Sequence, residues 1–255
     1  MRIYVINLAR AAERREKMAR QCAALGLACD WIEASDGRAL TEAELALVDH
    51  RKRRFLSPYP LSRNEIGCWL SHRRAIGQLL ASGAAMAAVL EDDLKLSPDL
   101  PAALDAIERA GGDFDLIDLH RKFRKNETFV PCRRLPGGVT LGRLRYGQMC
   151  AYGYVMSRRG AAKFLAGADR FADAVDKALH SYWRNGLDIY ALERPLVEND
   201  DAGVSYIDED RHQDDGARRD TYPGAETLKW RAARQVTKLV NSVRKRRAYR
   251  ALPKR

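Results

Sequence analysis

Three consecutive acidic residues, Glu91-Asp92-Asp93, directly follow an apolar run at residues 84–90. The run has the composition of a buried strand, and open α/β sheets bind ligands beyond the carboxyl ends of their strands. Neighbouring carboxylates repel each other unless a cation compensates them, and oxygen-only ligands suit Mn²⁺ or Mg²⁺. A metal held there can bridge the phosphates of a nucleotide and offset charge on a leaving diphosphate. A solvated acidic turn is the alternative interpretation of the same motif.

Polar residues also follow the first two predicted strands. Asn7, Arg10 and Arg14 come at the end of the first strand. The two arginines lie one helical turn apart, so they can reach the same phosphate or base. Asp36 follows the second strand and can accept hydrogen bonds from a ribose or a base. A solvated helix face is the alternative explanation for the arginines, and a plain turn is the alternative for Asp36.

The elements that must position these residues alternate between strand and helix. Ser62 and Glu65 form a capping box at the start of one helix, and Gly83 lies where that helix should end. The alternation predicts an α/β domain with a mainly parallel sheet. The predicted strands are residues 3–8, 28–34, 84–90, 114–119, 151–156 and 188–192, the predicted helices are residues 10–25, 62–83, 158–165 and 173–185, and residues 51–60 are predicted to form a basic loop.

The positive charge of the chain is concentrated at its C-terminal end. The 255 residues include 45 Lys or Arg and 34 Asp or Glu, which gives a formal net charge of +11. Residues 229–255 hold 11 of the basic residues and none of the acidic ones, so the preceding residues carry 34 of each sign. Because the charges of residues 1–228 cancel, the main domain lacks the basic surface expected of a nucleic-acid-binding domain.

The basic tail has an apolar pattern of its own. Ala232, Val236, Leu239, Val240 and Val243 recur at spacings of three and four, which predicts an amphipathic helix. The chain is therefore divided into a domain at residues 1–225 and a basic amphipathic tail at residues 226–255. Such a helix suits an anionic membrane surface. A solubilising tail and an RNA-binding tail are the alternatives.

Several blocks of the sequence form an ordered pattern. They are Ile6-Asn7-Leu8 with Arg10, Arg14 and Arg15, then residues 33–37, 61–72, 89–93 and 151–157, the last followed by Gly160-Ala161. The most specific block is residues 65–72, Glu-Ile-Gly-Cys-Trp-Leu-Ser-His. In these blocks the chain resembles glycosyltransferase family 25, which includes bacterial lipooligosaccharide galactosyltransferases and the collagen hydroxylysine galactosyltransferases. The resemblance covers residues 1–207.

The resemblance implies a fold and a reaction. It implies a GT-A-like nucleotide-sugar transferase that uses UDP-galactose or UDP-glucose and inverts the anomeric centre. The acidic triplet resembles the metal-binding motif of the family, with Asp93 as the direct ligand of Mn²⁺ or Mg²⁺, Glu91 either near the ribose or behind the metal ligands, and Asp92 in the donor site. Ile76 stands where the family often has an aromatic residue, and residues 122–147 match nothing in it, which leaves the acceptor open.

Inversion requires a base that deprotonates the acceptor hydroxyl opposite the leaving UDP. Asp173 and Asp176 both open a predicted helix, whose backbone N–H groups keep a carboxylate ionised. Asp176 resembles the acid of a short Val-Asp segment of the family and is the candidate base. Helix capping is the alternative for both residues.

Five further residues are candidates through the resemblance. Ser71 and His72 are assigned to the donor site, although packing inside a helix is the alternative for both. Tyr152 and Tyr154 are candidates for the acceptor cleft, although alternation along a strand predicts the same pattern for packing. His212 is the candidate third metal ligand, because transferases of this fold often take one from late in the chain.

These features predict an inverting, metal-dependent hexosyltransferase that moves galactose or glucose to a lipopolysaccharide- or lipooligosaccharide-type glycan or glycolipid acceptor. We expect a cytoplasmic enzyme, peripheral on the inner face of the cytoplasmic membrane. The location is inferred from five scattered cysteines, from an N-terminus unlike a signal peptide, and from apolar runs far shorter than the roughly 18 residues of a spanning helix. The alternatives are a metal-dependent nucleotidyl- or phosphotransferase and a non-enzymatic nucleic-acid-binding protein.

Overall fold

The computed structural model of the chain describes residues 1–111, 113–121, 127–148, 150–200 and 220–252. Its strands are β1 (Arg2–Asn7), β2 (Asp30–Glu33), β3 (Met86–Glu91), β4 (Leu94–Leu96), β5 (Leu116–Asp118), β6 (Phe129–Arg134), β7 (Thr140–Leu144), β8 (Gly153–Ser157), β9 (Ile189–Leu192) and β10 (Val197–Asn199). An 8-stranded sheet has the order β2-β1-β3-β8-β5-β9-β7-β6, and β4 and β10 form a separate antiparallel pair. The predicted strands are all present, with ends displaced by a few residues.

The directions of the strands make the large sheet mixed. β1 pairs in parallel with β2 and β3, so that Val5 lies between Trp31 and Leu90. β8 runs antiparallel to both β3 and β5, and β7 runs antiparallel to both β6 and β9. The prediction of a mainly parallel sheet is therefore only partly right. Parallel neighbours need a crossover connection, whereas the described chain between β5 and β8 forms the β6–β7 hairpin, and β8 returns antiparallel.

Helices cover both faces of the sheet and give a three-layer α/β architecture. They are α1 (Ala12–Ala24), α2 (Glu42–Leu45), α3 (His50–Leu56), α4 (Arg63–Ser82), α5 (Leu100–Ala110), α6 (Arg158–Leu165), α7 (Val175–His180), α8 (Tyr182–Asn185) and α9 (Leu228–Ala251). One core cluster, which includes Trp69 and Leu79, joins α4, α6 and α7 to the sheet. A second cluster, which includes Met18 and Ile107, joins α1 and α5 to the other face.

The long helix α4 begins and ends as its sequence predicts. The Ser62 hydroxyl accepts the Glu65 N–H, and the Glu65 carboxylate accepts the Ser62 N–H. Gly83 closes the helix with a φ of 73°, a left-handed conformation that a side chain would strain. The helix packs on β1, β2 and β3, and so carries residues 68–72 to the carboxyl ends of those strands.

Two segments differ from their predicted structure. Residues 51–60 were expected to be a loop but contain most of α3, whose N-terminus is capped because the Asp49 carboxylate accepts the Lys52 N–H. The helix predicted at residues 173–185 is two helices, α7 and α8. The break lies at Ser181, whose φ of −83° and ψ of 55° are outside the helical region.

The C-terminal tail forms the helix α9, which packs against α3 and α8. Among the described residues, none of the helices combines the length and the apolar composition that a membrane span requires. The division of the chain at residue 225 stays a prediction.

Candidate functional site

A cleft of about 660 Å³, its open mouth included, lies at the carboxyl ends of β1, β2 and β3. The position is the one where open α/β sheets bind ligands. Six residues that the sequence assigned to the site line it together: Arg14, Ser71, His72, Glu91, Asp92 and Asp93. The remaining lining residues are Ile6, Leu8, Ala34, Ser35, Gly37, Asn64 and Cys68.

Close backbone contacts shape one wall of the cleft. A Cβ atom on Gly67 would lie 2.5 Å from the Ser35 carbonyl oxygen, so only glycine lets the loop after β2 approach α4 this closely. The Ser71 hydroxyl accepts the Ser35 N–H at 2.9 Å and donates to the Gly67 carbonyl at 2.7 Å. Arg63 Nε donates to the Gly37 carbonyl at 2.8 Å. Ser71 therefore contributes to the site by holding its loop.

The acidic triplet lies at the floor of the cleft with few cationic contacts. Arg14 Nη1 lies 3.3 Å from both Asp92 Oδ1 and Asp93 Oδ2. Asn7 is buried at the end of β1, and its Nδ2 donates to Asp92 Oδ2 at 2.6 Å. Asn7 and Arg14, predicted from separate positions in the sequence, thus converge on the carboxylates that follow β3.

The electrostatics of Asp93 fit a bound cation. Burial and the Glu91 charge together raise the pKa of Asp93 to about 7, against the opposing effect of Arg14. Burial also raises the pKa of Asp92. Asp93 Oδ1 is buried and has no hydrogen-bond partner among the described residues. Buried acceptors normally have a partner, and carboxylate oxygens are the donors that Mn²⁺ and Mg²⁺ prefer, so these residues fit such an ion.

A second group of ligand atoms lies beside the triplet. Cys68 Sγ and the ligand atoms of His72 and Glu91 lie within 4.8 Å of one another. The imidazole is already engaged, because its Nδ1 lies 3.0 Å from the Tyr154 hydroxyl and its Nε2 lies 3.2 Å from Glu91 Oε1. Burial and the Glu91 charge raise the pKa of the Cys68 thiol, which disfavours the thiolate that a metal needs. The group serves better as a hydrogen-bonded cleft floor than as a metal site.

Arg10 and Asp36 form an ion pair beside the cleft. Arg10 Nε donates to Asp36 Oδ2 at 2.8 Å, and the Arg38 N–H donates to Asp36 Oδ1 at 3.0 Å. The Arg38 N–H and the Arg10 guanidinium lower the pKa of Asp36. The structure therefore brings a residue that follows β1 into contact with one that follows β2.

The two tyrosines predicted to line the acceptor cleft lie in different environments. Tyr154 is 1 % exposed in the core, and its hydroxyl contacts His72, so the expectation that it lines an open cleft is wrong. Tyr152 is half-buried, and its ring lies 5.2 Å from that of His120. Alternation along a strand would place residues 152 and 154 on the same face of the sheet. Tyr152 precedes β8 and instead packs against the core cluster on the opposite face from Tyr154.

Asp176 is half-buried in the first turn of α7. Burial raises its pKa, and the Lys177 backbone N–H opposes the rise. Glu91, Asp176 and Asp93 all lie near enough to Cys68 for their charges to raise the pKa of its thiol, although Asp176 is not among the residues that line the cleft. Asp173 instead accepts from Arg53 and Arg184, each at 3.2 Å. This contact gives Asp173 a structural role and separates it from Asp176.

Sequence reasoning missed a buried pair behind Asp176. His180 Nε2 lies 2.8 Å from Asp118 Oδ1, and His180 Nδ1 lies 2.7 Å from the Asp176 carbonyl oxygen. Burial lowers the pKa of His180, but the Asp118 carboxylate outweighs it and the net shift is upward. The pair ties α7 to the carboxyl end of β5. Neither residue stood out in the sequence, because both fall inside predicted elements. His212 lies outside the described residues.

A mixed α/β sheet with an acid-lined cleft beyond three parallel strands defines an α/β protein of the kind that binds ligands at its strand ends. A family model described as "Glycosyltransferase family 25 (LPS biosynthesis protein)" matches residues 1–179. The chain belongs to glycosyltransferase family 25, which confirms the resemblance seen in the sequence.

The chain is also similar to individual proteins. It is 33 % identical over 171 residues to procollagen galactosyltransferase 1 of Danio rerio, across 64 % of this chain and 28 % of that protein. It is 33 % identical over 177 residues to procollagen galactosyltransferase 2 of Homo sapiens, across 66 % of this chain and 28 % of that protein. The match thus spans little more than a quarter of these relatives. Among solved structures, "Crystal Structure of A197 from STIV" covers 78 % of this chain and 84 % of that chain, with a TM-score of 0.41 and 11 % identity.

Proposed function

We propose that this protein transfers a hexose, galactose or glucose, from a UDP-sugar to a hydroxyl group of a glycan acceptor, with inversion at the anomeric carbon. The observation that carries the proposal is the cleft beyond β1, β2 and β3, in which buried Asp93 Oδ1 has no partner among the described residues. Membership of family 25 and the galactosyltransferase names of the relatives support hexosyl transfer. A GT-A-like architecture, with the donor at the strand ends, accords with this cleft.

In this proposal Asp93 holds a divalent cation, Mn²⁺ or Mg²⁺, which when bound neutralises charge on the leaving diphosphate. Arg14 contacts two carboxylates through one Nη1 atom, and its guanidinium is the proposed contact of a phosphate oxygen. Asn7 fixes Asp92 by its 2.6 Å hydrogen bond. The Arg10–Asp36 pair offers hydrogen-bonding groups to a ribose or a base.

Asp176 is the proposed base. As the acceptor oxygen attacks the anomeric carbon, its proton passes to the Asp176 carboxylate, and the bond from that carbon to the UDP oxygen breaks with its electron pair leaving on UDP. The raised pKa of Asp176 brings its carboxylate closer to the operating pH, where a general base is most effective. The Asp118–His180 pair holds the backbone of Asp176 in place.

The proposed acceptor is a lipopolysaccharide- or lipooligosaccharide-type glycan, following the description of the family model. Tyr152 is the proposed acceptor contact, because it is half-buried and its carbonyl accepts the Glu91 N–H at 2.8 Å, directly beside the triplet. The relatives' names point instead to procollagen, so an oligosaccharide and a hydroxylysine peptide are both tested as acceptors.

The test is a donor screen with the full chain and Mn²⁺. UDP-, GDP-, CMP- and dTDP-sugars are each incubated with a lipooligosaccharide-derived oligosaccharide, and the products are identified by mass spectrometry. We expect UDP-galactose or UDP-glucose to yield UDP and a glycosylated acceptor of inverted configuration by proton NMR. Pyrophosphate or a phosphorylated product would replace the proposal with a nucleotidyl- or phosphotransferase. A retained configuration would remove Asp176 as the base of a single displacement.

A further inference from the structure

The C-terminal helix α9 has an inner face that attaches it to the body. The Trp230 ring lies edge-on to Phe55 at 5.2 Å, and Lys245 Nζ lies 3.9 Å from the centre of the Trp183 ring. Arg234 is the buried residue of the helix. The apolar stripe that the sequence predicted makes none of these contacts, so it is not what attaches the helix to the body.

The outer face of α9 carries that apolar stripe, extended at its N-terminal end by Leu228, into solvent. Leu228 is 83 % exposed, Val236 60 %, Leu239 67 %, Val240 42 % and Val243 48 %. Together with two aromatic residues elsewhere, these five are the exposed large hydrophobic side chains among the described residues. Because exposed apolar groups scattered singly are ordinary and a contiguous row is not, this row marks an interaction surface.

Basic side chains flank the apolar stripe. At 100° per residue, Arg231 and Lys238 fall on one side of it and Arg244 on the other, whereas Lys229, Arg246, Arg247 and Arg250 lie in line with it at its two ends. Residues 229–255 contain no Asp or Glu, so the charge on this face is of one sign. The exposed basic residues of the helix are Lys229, Arg231, Lys238, Arg244, Arg246, Arg247 and Arg250.

The combination of apolar stripe and basic flanks selects the partner by charge complementarity. Two copies of α9 meeting through their outer faces would place cations against cations, without an acidic residue in the helix to pair with them. RNA would engage the cations but leave the stripe in water, and the aromatic residues Trp230 and Tyr249 are turned toward the body. A bilayer that contains anionic lipid satisfies both features at once.

We propose that the outer face of α9 docks this protein on an anionic lipid bilayer as a peripheral membrane protein. The valines and Leu239 enter the boundary between headgroups and acyl chains, while the flanking basic residues contact lipid phosphates. The proposal is independent of the proposed sugar transfer, since it depends only on the surface of α9. It adds to that function a way to hold the enzyme where a lipid-linked acceptor lies.

The test is sedimentation of the full chain with vesicles of phosphatidylglycerol and phosphatidylcholine, and with vesicles of phosphatidylcholine alone. We expect binding to the mixed vesicles only. Raising the salt should weaken it, because the Debye length falls from about 8 Å at 0.15 M to about 3 Å at 1 M. The double variant Leu239→Gln/Val243→Gln should lose affinity for the mixed vesicles by about tenfold or more, because it removes the apolar contact and keeps every charge.

Two controls separate docking from general effects. Arg246→Gln/Arg247→Gln should also lose binding, whereas Arg20→Gln/Arg109→Gln, with the same change of charge on exposed positions of the body, should bind as the parent does. Glutamine is a good helix former and these positions are exposed, so circular dichroism should show unchanged helix content in all variants. Retention of the parent protein in the supernatant would overturn the proposal.

The other occupants of the surface are also distinguishable. Vesicle binding by Leu239→Gln/Val243→Gln equal to that of the parent would overturn docking through the stripe. A parent dimer in light scattering that becomes a monomer in this variant would assign the stripe to self-association and overturn the proposal. Binding to an RNA homopolymer that competes with vesicles and survives in Leu239→Gln/Val243→Gln would assign the face to a polyanion instead.

Discussion

Two carboxylates of the same sheet lie at opposite ends of its strands, Asp115 before β5 and Asp93 after β3. Asp115 precedes β5 and is fully buried, and it accepts from Arg159 at 2.7 Å, from Lys163 at 2.6 Å and from the Asp188 N–H at 2.8 Å. Asp93 follows β3 and meets one Arg14 atom at 3.3 Å, while its Oδ1 has no partner among the described residues.

The two environments shift the pKa values of Asp115 and Asp93 in opposite directions. Burial raises the pKa of Asp115, but Lys163, Arg159 and the Asp188 N–H outweigh it, so the net shift is downward. Burial and Glu91 raise the pKa of Asp93 to about 7. A carboxylate that the fold compensates contributes to stability, whereas one that the fold leaves short of cations is a candidate for function. The comparison therefore distinguishes Asp115 as an anchor from Asp93 as a ligand.

The largest expected effect is on turnover by Asp93→Ala. If Asp93 holds the cation, transfer from the UDP-sugar should fall about 10³-fold or more, because charge on the leaving diphosphate is no longer offset. The melting temperature should not fall, since the substitution relieves repulsion within the triplet. Asp105→Ala, on the exposed side of α5, is the control and should keep its activity. Normal turnover by Asp93→Ala would contradict the assignment of Asp93 as a ligand of the cation.

The next effect is on Asp176→Asn. If Asp176 is the base, kcat should fall about 10²-fold or more while binding of the UDP-sugar persists, because the amide cannot accept the proton. The matched control is Asp173→Asn, which loses contacts to Arg53 and Arg184 and should lower the melting temperature with a smaller effect on kcat. Equal kcat values for the two variants would remove the distinction between the base and its structural neighbour.

Substitution of Asp115 should lower the stability of the fold, whereas substitution of Asp93 should not. Asp115→Asn should lower the free energy of unfolding by about 2 kcal/mol, because the charge-assisted bonds to Arg159 and Lys163 are lost. The folded pKa of Asp115 lies below its ordinary value of 3.8, so this stability is present above that value and is lost as the pH falls through the folded pKa. Denaturant unfolding at a series of pH values from neutral to acid measures this contribution to the free energy of unfolding. The same pH dependence of stability in the parent and in Asp115→Asn would contradict the assignment.

The smallest expected effect concerns His180→Gln. The folded pKa of His180 lies above its ordinary value of 6.5, so its pair with Asp118 stabilises the fold below about pH 6.5 and is lost as the pH rises through the folded pKa. The variant should be less stable at pH 6 by about 1 kcal/mol and should lack that pH-dependent loss. A parent whose stability is flat above pH 6.5 would contradict a charged His180.

Much of the fold near the site could be predicted because local signals decide it. The capping box at Ser62 and the glycine at position 83 determine both ends of α4. The apolar run before Glu91 forms a central strand. The direction of β8 could not be predicted, since it depends on the hairpin that residues 127–148 form and those residues carry no motif. The break at Ser181 was also missed, because the buried contact of His180 with Asp118 is made across the fold.

The site could be predicted from the sequence where its polar residues directly follow the ends of parallel strands. Asn7, Arg14 and Asp93 come together because parallel strands bring their carboxyl ends to one edge. Tyr154 was assigned wrongly, since a residue's face on a strand does not tell whether that face is covered. Asp118 and His180 gave no signal, because a buried ion pair is defined by distance in space and not by spacing in the chain.

Calorimetric titration of UDP into the protein tests the role of Asp93 most directly, in Mn²⁺ and in EDTA, for the parent and for Asp93→Ala. The account predicts binding by the parent in Mn²⁺ that weakens at least about tenfold in EDTA, and weak binding by the variant in both buffers. Asp105→Ala should behave as the parent does. UDP binding of equal affinity in EDTA, or by Asp93→Ala in Mn²⁺, would contradict a cation held by Asp93.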